Sequence, residues 1–171
     1  MSRDLREKSE LVALLVNEIR ETTTVTILFH QAIADRLGMN ITDHKCAGIL
    51  AGSGPITAGE LARRTGLTTG AITGVIDRLE RAGFARRARD PSDRRKVIIQ
   101  PDPKRIERKI VPLFDSMGRA VASLYERYTA QELSLILDFA TRSRAVAEEE
   151  TRKLQEATPR AKPLSRQKKI D

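Results

Sequence analysis

Residues 56–100, ITAGELARRTGLTTGAITGVIDRLERAGFARRARDPSDRRKVIIQ, restrict the possible folds more than any other stretch. Two short helices can cross closely only where small residues meet, and the chain between them needs a residue that tolerates a tight turn. Leu61 and Ala62 stand on the first helix, and Gly66 follows Ala62 by four residues. Ile72, Val75, Ile76 and Leu79 then mark one apolar face at helical spacing. Thr57 with Glu60 forms a capping-box pattern that opens a helix over 57–65. Thr68 caps a second helix that runs to Ala82, and Gly83 supplies its stop. Phe84–Arg89 and Lys96–Gln100 read as two strands, with Asp, Pro and Ser clustered at 90–93 where a hairpin must turn. The pattern predicts a helix-turn-helix with a basic hairpin directly behind it.

The outer face of the second helix carries Thr68, Thr69, Gly70, Thr73, Gly74 and Asp77. Side chains this short let a helix seat deeply in a major groove about 12 Å wide. Threonine hydroxyls can bond base edges, threonine methyls can touch thymine methyls, and the helix N-terminus offers free amides to a phosphate. No Arg, Asn or Gln occupies the first turn of this face, so bidentate base contacts are not available there. The hairpin supplies Arg86, Arg87, Arg89, Arg94, Arg95 and Lys96, which suits phosphate contacts and a guanidinium in a narrow minor groove. Asp93 is expected to pair with Arg95 or a neighbour and hold the turn rigid. The expected DNA-contacting set is Thr57, Thr68, Thr69, Gly70, Thr73, Arg78, Arg86, Arg94, Arg95 and Lys96.

The charge distribution agrees with a polyanion partner. Residues 1–54 hold 6 Lys/Arg against 7 Asp/Glu, 55–96 hold 10 against 5, 102–156 hold 10 against 10, and 157–171 hold 5 against 1. The overall +8 is thus confined to the central module and the tail, whereas a merely soluble basic surface would be spread evenly. A single cysteine excludes an intramolecular disulfide and suits a reducing compartment. No apolar run approaches the ~18 residues of a membrane span, and the first ten residues hold no apolar signal core. The expected location is the cytoplasm, on the nucleoid.

Long helices bracket the module. Residues 8–38 repeat apolar positions at Leu11, Leu15, Ile19, Phe29, Ile33 and Leu37, with Gly38 as the stop. Such a helix spans about 45 Å, long enough to pack on more than its own domain. Thr42 offers a cap for a helix ending before GSGP at 52–55. From Pro103, Ile106, Ile110, Leu113 or Phe114, Met117, Val121, Leu124 and Tyr128 step close to a heptad seam, with a kink or break near Val111 because of Pro112. Thr129 with Glu132 opens a last helix to about residue 156, and the tail from Pro159 has no apolar period. The fold class is mainly α with a small β-hairpin wing: a winged helix-turn-helix over 41–101, inserted between long dimerisation helices at 8–38 and 102–156, with a disordered basic tail at 157–171.

Over ELARRTGLTTGAITGVIDRLERAGFARRARDPSDRRKV the chain resembles MarR-type regulators, bacterial winged-helix repressors, and Asp93, Arg94 and Arg95 match the family's Asp-x-Arg wing signature. The resemblance is tight over 55–100 and rests on helix length and order elsewhere. It implies an obligate homodimer with interlocked terminal helices, recognition helix 68–82, and wing arginines at Arg94 and Arg95. Relatives often continue the second wing strand into Leu-Thr-x-x-Gly, whereas this chain has Gln100-Pro-Asp-Pro103.

The expected partners are therefore double-stranded DNA, a second copy of the chain and a small-molecule effector, with no membrane. The expected function is that of a sequence-specific repressor on a near-palindromic site, with the recognition helix in the major groove, the wing in the minor groove and release by the effector. The alternative is an architectural protein that coats DNA without choosing sequence. Effector contacts are open; His30, His44 and Cys46 are the unusual polar groups near the helix junction. His44 and Cys46 point about 200° apart on a helix, which argues against a shared metal, and Cys46 within CAGIL reads as a small buried hydrophobe. No metal and no cofactor are expected. Two histidines, one cysteine and no glycine-rich phosphate loop leave no catalytic constellation, so the chain is not read as an enzyme.

Overall fold

The computed structural model describes residues 3–157. In order the elements are α1 (Arg3–Arg36), α2 (Ile41–Ser53), β1 (Ile56–Thr57), α3 (Ala58–Thr65), α4 (Thr69–Arg81), β2 (Ala85–Arg89), β3 (Val97–Pro101), α5 (Pro103–Lys109), a 3-10 turn (Val111–Leu113), α6 (Asp115–Tyr125) and α7 (Ala130–Ala157). The fold is mainly helical, with a small antiparallel sheet. Two compact units divide at Ser116.

The first unit is built on one apolar cluster. Cys46, Ala47 and Leu50 of α2 and Leu61 of α3 meet the expected stripe of α4, Ile72, Val75, Ile76 and Leu79. Phe84, Ala85, Ile99, Ile106 and Ile110 close the cluster from the sheet and α5. Truncating a fully buried leucine such as Leu61 to alanine would cost about 2–5 kcal/mol.

Local chemistry sets the helix ends. Thr57 Oγ1 accepts from the Glu60 amide at 3.2 Å and Thr68 Oγ1 from the Ala71 amide at 3.3 Å. Only half of the expected box forms at Thr57, because the Glu60 carboxylate turns to Arg63 and Arg64. Gly66 ends α3 at φ 72°, a left-handed conformation that a side chain would strain. The cap of α2 is Asn40 rather than Thr42. Asn40 is extended, and its Oδ1 accepts from the Asp43 amide at 2.8 Å, which leaves Thr42 inside the first turn.

The wing is more than a hairpin. β2 pairs with β3 from Ala85↔Pro101 to Arg89↔Val97, and β1 adds a third strand through Ile56↔Ile99 and Thr57↔Ile98. β3 is therefore central. Its Pro101 is tolerated because β1 ends its pairing at Ile99 and needs no donor from position 101. Two residues carry no periodicity, so β1 leaves no trace in the sequence.

The interruption expected near Val111 takes the form of a break rather than a kink. Pro112 cannot donate a helical hydrogen bond and disfavours helical geometry at Val111, so the chain passes through the 3-10 turn between α5 and α6. This splits the expected seam. Ile106 and Ile110 belong to the core of the first unit, whereas Met117, Leu124 and Tyr128 are exposed. α1 also begins earlier than expected, at Arg3, and from Leu11 to Leu28 its large apolar side chains are exposed.

In the second unit, α7 starts with a complete capping box. Thr129 donates its amide and its hydroxyl to Glu132 Oε2, each at 2.8 Å, and Glu132 donates its amide to Thr129 Oγ1 at 3.3 Å. Ion pairs such as Arg142–Asp138 and Arg152–Glu156 line α7, which buries no residue. The basic tail lies outside the described residues apart from Ala157.

Candidate nucleic-acid interface

The outer face of α4 is open and made of short residues. Thr68, Thr69, Gly70 and Thr73 are exposed. A Cβ built on Gly70 would meet nothing within 4 Å, and one on Gly74 would meet only Arg78 Nη1 at 3.4 Å. Neither glycine is there to admit a neighbouring helix. Thr73 donates its hydroxyl proton to the Thr69 carbonyl at 2.9 Å, which leaves its oxygen lone pairs and methyl facing outward. Past the Thr68 cap, the first amides of α4 stay free of intrahelical partners, a ready anion site.

The charged residues separate into those held by the protein and those left to solvent. Arg78 stands among the expected DNA contacts, but its Nε and Nη2 donate to Asp43 Oδ2 and Oδ1 at 2.7 and 2.8 Å. A guanidinium committed through that edge to a buried carboxylate keeps Nη1 and the second N–H of Nη2 to spare, but its plane is fixed. Arg86 donates to Gln100 Oε1 at 3.1 Å across the strands. Arg87 is taken up by α4: its amide donates to Glu80 Oε1 at 2.6 Å, Nη1 to Glu80 Oε2, and Nη2 to Asp77 Oδ1 at 2.6 Å. Both acidic groups on that side of α4 are therefore paired with the wing, although Asp77 keeps half of its side chain in solvent. Glu60, bound by Arg63 and then Arg64, is held down to about 2 and stays ionised under those two charges.

Two aspartates build the wing tip. Asp90 Oδ1 accepts from the Ser92 amide at 2.8 Å and hydroxyl at 2.6 Å, and the Ser92 contacts hold its carboxyl below the usual range. Asp93 Oδ1 accepts from the Arg95 amide at 3.1 Å and Nε at 3.2 Å, and its Oδ2 lies 3.8 Å from Lys96 Nζ. The Lys96 amide donates to the Asp93 carbonyl at 2.9 Å, closing the turn. Arg95 keeps 92% of its side chain in solvent, and Arg94 has no ion pair among the described residues. Thr57 is half-buried at the head of α3, its hydroxyl oxygen occupied as a cap.

His30 and His44 meet away from this face. His30 Nδ1 and His44 Nε2 lie 3.2 Å apart, and Phe29 and Phe114 close over the pair. At that distance one nitrogen donates and the other accepts, because two protonated nitrogens cannot both donate. His44 is buried, and burial first, then the charge of His30, lowers its pKa below 6.5. A group depressed in the folded state stabilises the fold fully above its unfolded pKa and loses that contribution as pH falls. The urea midpoint of the protein is therefore expected to drop between pH 6.5 and 5 by more than that of a His44→Gln variant. Equal drops would remove the pair as the cause. Burial, then Asp43, pushes the Cys46 thiol up to about 11, so Cys46 is a core residue rather than a reactive thiolate. Among the described residues no group of three or more His, Cys, Asp or Glu is placed to hold a metal ion. An apolar recess of about 280 Å³ lies among Ala51, Pro101, Pro103, Ile106, Glu107 and Val111. None of His30, His44 and Cys46 lines it.

Three carboxylates that shape the interface, Asp77, Glu80 and Asp43, have no partner assigned from the sequence, yet each leaves a signal. Asp77 and Glu80 are three apart on a helix that precedes a basic hairpin, which predicts an arginine between them. Asp43 shares one helical face with Ala47 and Leu50, which predicts burial and hence a partner.

The sequence model of the MarR family matches residues 31–97. The uncharacterized HTH-type transcriptional regulator YcgE of Bacillus subtilis (strain 168) is 43% identical over 149 residues, covering 87% of this chain and 96% of its own. The structure of a MarR family protein from Bacillus stearothermophilus aligns with TM-score 0.60 and 25% identity, over 84% of this chain and 97% of that one. That of transcriptional regulator Tm0710 from Thermotoga maritima aligns with TM-score 0.57 and 22% identity, over 81% and 97%. Among the described residues no helix is long and apolar enough to cross a membrane.

Proposed function

The chain belongs to the MarR family of DNA-binding transcriptional regulators, and on that premise we propose that it is a homodimeric, sequence-specific repressor of a near-palindromic site. Proteins of this family and fold are regulators, not enzymes. In the proposed complex α4 enters the major groove, and Thr68, Thr69, Gly70 and Thr73 meet base edges and flanking phosphates. Arg94, Arg95 and Lys96 reach the neighbouring minor groove and its backbone, and Asp93 keeps the tip in shape. Thr57 and Arg86 flank this surface. Arg78, bound to Asp43, is left out of the contact set.

The observation that carries the reading is the coupling of an uncovered small-residue face on α4 to a rigid arginine tip, through Arg87 bridging Asp77 and Glu80. The second copy of the chain would cover the apolar stripe of α1 at Leu11, Leu15 and Ile19 and the exposed residues of α6 and α7. Two modules on one two-fold axis then reach half-sites about 10 bp apart. A small-molecule effector that disturbs the His30–His44 contact would release the DNA.

An architectural role draws on the absence of long base-reading side chains on α4. The two readings part on one measurement at physiological salt: affinity for duplexes that the protein itself enriches from a random pool, against the unenriched pool. A ratio of ~10³ or more is expected of the regulator. A ratio near one would leave the architectural role.

A further inference from the structure

Asp43 stands in the first turn of α2, yet only 3% of it is exposed. A carboxylate taken out of water needs partners for both oxygens. They come from Arg78, 35 residues away, which donates Nε to Oδ2 and Nη2 to Oδ1. Asn40 Nδ2 gives Oδ2 a further donor at 2.9 Å, so the α2 cap and the ion pair form one network. A fork of this kind fixes the plane of the carboxylate and the rotation of the helix that carries the arginine. Arg78 lies in the last turn of α4, whose first turns hold Thr69, Gly70 and Thr73. Its pKa is raised by the bond to Asp43, in keeping with a charge used inside the protein.

We propose that Asp43 is a positioning residue for sequence readout: through Arg78 it sets the rotation at which α4 offers Thr69, Gly70 and Thr73 to the bases. The role rests on the sequence-specific reading above. Short threonine side chains have little reach, so a site built from them tolerates only about 10–20° of misorientation. Arg87 ties α4 to the wing by Asp77 and Glu80, and Asp43 ties it to the body by Arg78. With both in place, α4 cannot rotate without breaking an ion pair. Arg78 then adds nothing to the phosphate contacts.

The test compares Asp43→Asn, Arg78→Gln, Arg78→Lys and the double variant Asp43→Asn/Arg78→Gln with the wild type. Each is titrated over a range of salt against a duplex that the wild type enriches from a random pool and against the unenriched pool. The double variant leaves no lone buried charge, so it keeps the fold even if a single variant does not; circular dichroism and thermal unfolding establish this. The expected result is a loss of about tenfold or more on the enriched duplex, with the pool affinity and the salt slope unchanged. Arg78→Lys should fall with Arg78→Gln, because an ammonium cannot form the fork. The double variant should be no worse than the weaker single, since both remove one interaction. A flattened slope in Arg78→Gln beside wild-type affinity in Asp43→Asn would make Arg78 a phosphate contact and overturn the role. Equal losses on both duplexes would overturn it as well. A wild type that enriches nothing defeats the sequence-specific reading itself, whereas enrichment that all four variants retain defeats the positioning role alone.

Discussion

Leu15→Asp and, separately, Leu124→Asp are each expected to yield a monomer whose grip on duplex DNA is weaker by about a hundredfold to ten-thousandfold. Leu15 is 48% exposed and Leu124 45%, each on a helix with further large apolar side chains in solvent. Leu11, Leu15 and Ile19 stand four residues apart and so form one stripe along α1. Contiguous apolar surface of this kind marks an interface, and a carboxylate placed in it would be buried without a partner. The loss in DNA binding follows from effective concentration. In a dimer the second module binds at no further translational cost, whereas each module of a monomer must find its half-site alone. Light scattering reads the mass, and titration of a two-half-site duplex reads the affinity. A Leu15→Asp chain that still runs as a dimer would take α1 out of the interface, and the same outcome for Leu124→Asp would take α6 out.

Removing the wing arginines together should have the next largest effect. The double variant Arg94→Ala/Arg95→Ala is expected to bind about a hundredfold more weakly at ~0.15 M salt, with a salt slope shallower by about 3.5 for a dimer that loses four phosphate contacts. Both are exposed charges, beside Lys96, of a tip that is already folded. Asp90 and Asp93 fix the turn through Ser92, Arg95 and Lys96, so no ordering step precedes contact. Arg87, by contrast, is neutralised by Asp77 and Glu80, and its removal should disturb the angle between helix and wing more than the slope. An unchanged slope in the double variant would place the wing away from the backbone.

Much of this molecule is written locally. The caps at Thr57, Thr68 and Thr129, the stops at Gly66 and Gly83 and the stripe Ile72–Val75–Ile76–Leu79 depend on neighbours within a turn or two, so the sequence alone yields α3, α4, the start of α7 and the packed side of α4. The same holds for the open glycines of α4: once the stripe is assigned to the core, the opposite face must be free. Asn40 and Thr42 are both good caps for α2, so the sequence alone does not separate them, and backbone geometry decides for Asn40.

What the sequence determined by itself was the helix-turn-helix, its arginine hairpin and the residues that face outward from both, because periodicity, capping and turn chemistry act over a few residues. The tertiary structure decided which of those charges are at liberty. Arg78 and Arg87 look like Arg94 and Arg95 in sequence, but the fold brings Asp43 to one and Asp77 with Glu80 to the other. It likewise added β1 to the sheet and assigned Ile106 and Ile110 to the core. The physical reason is that a charge or an apolar side chain is spoken for by whatever the folded chain sets beside it, and for these residues the partner is several to 35 positions away.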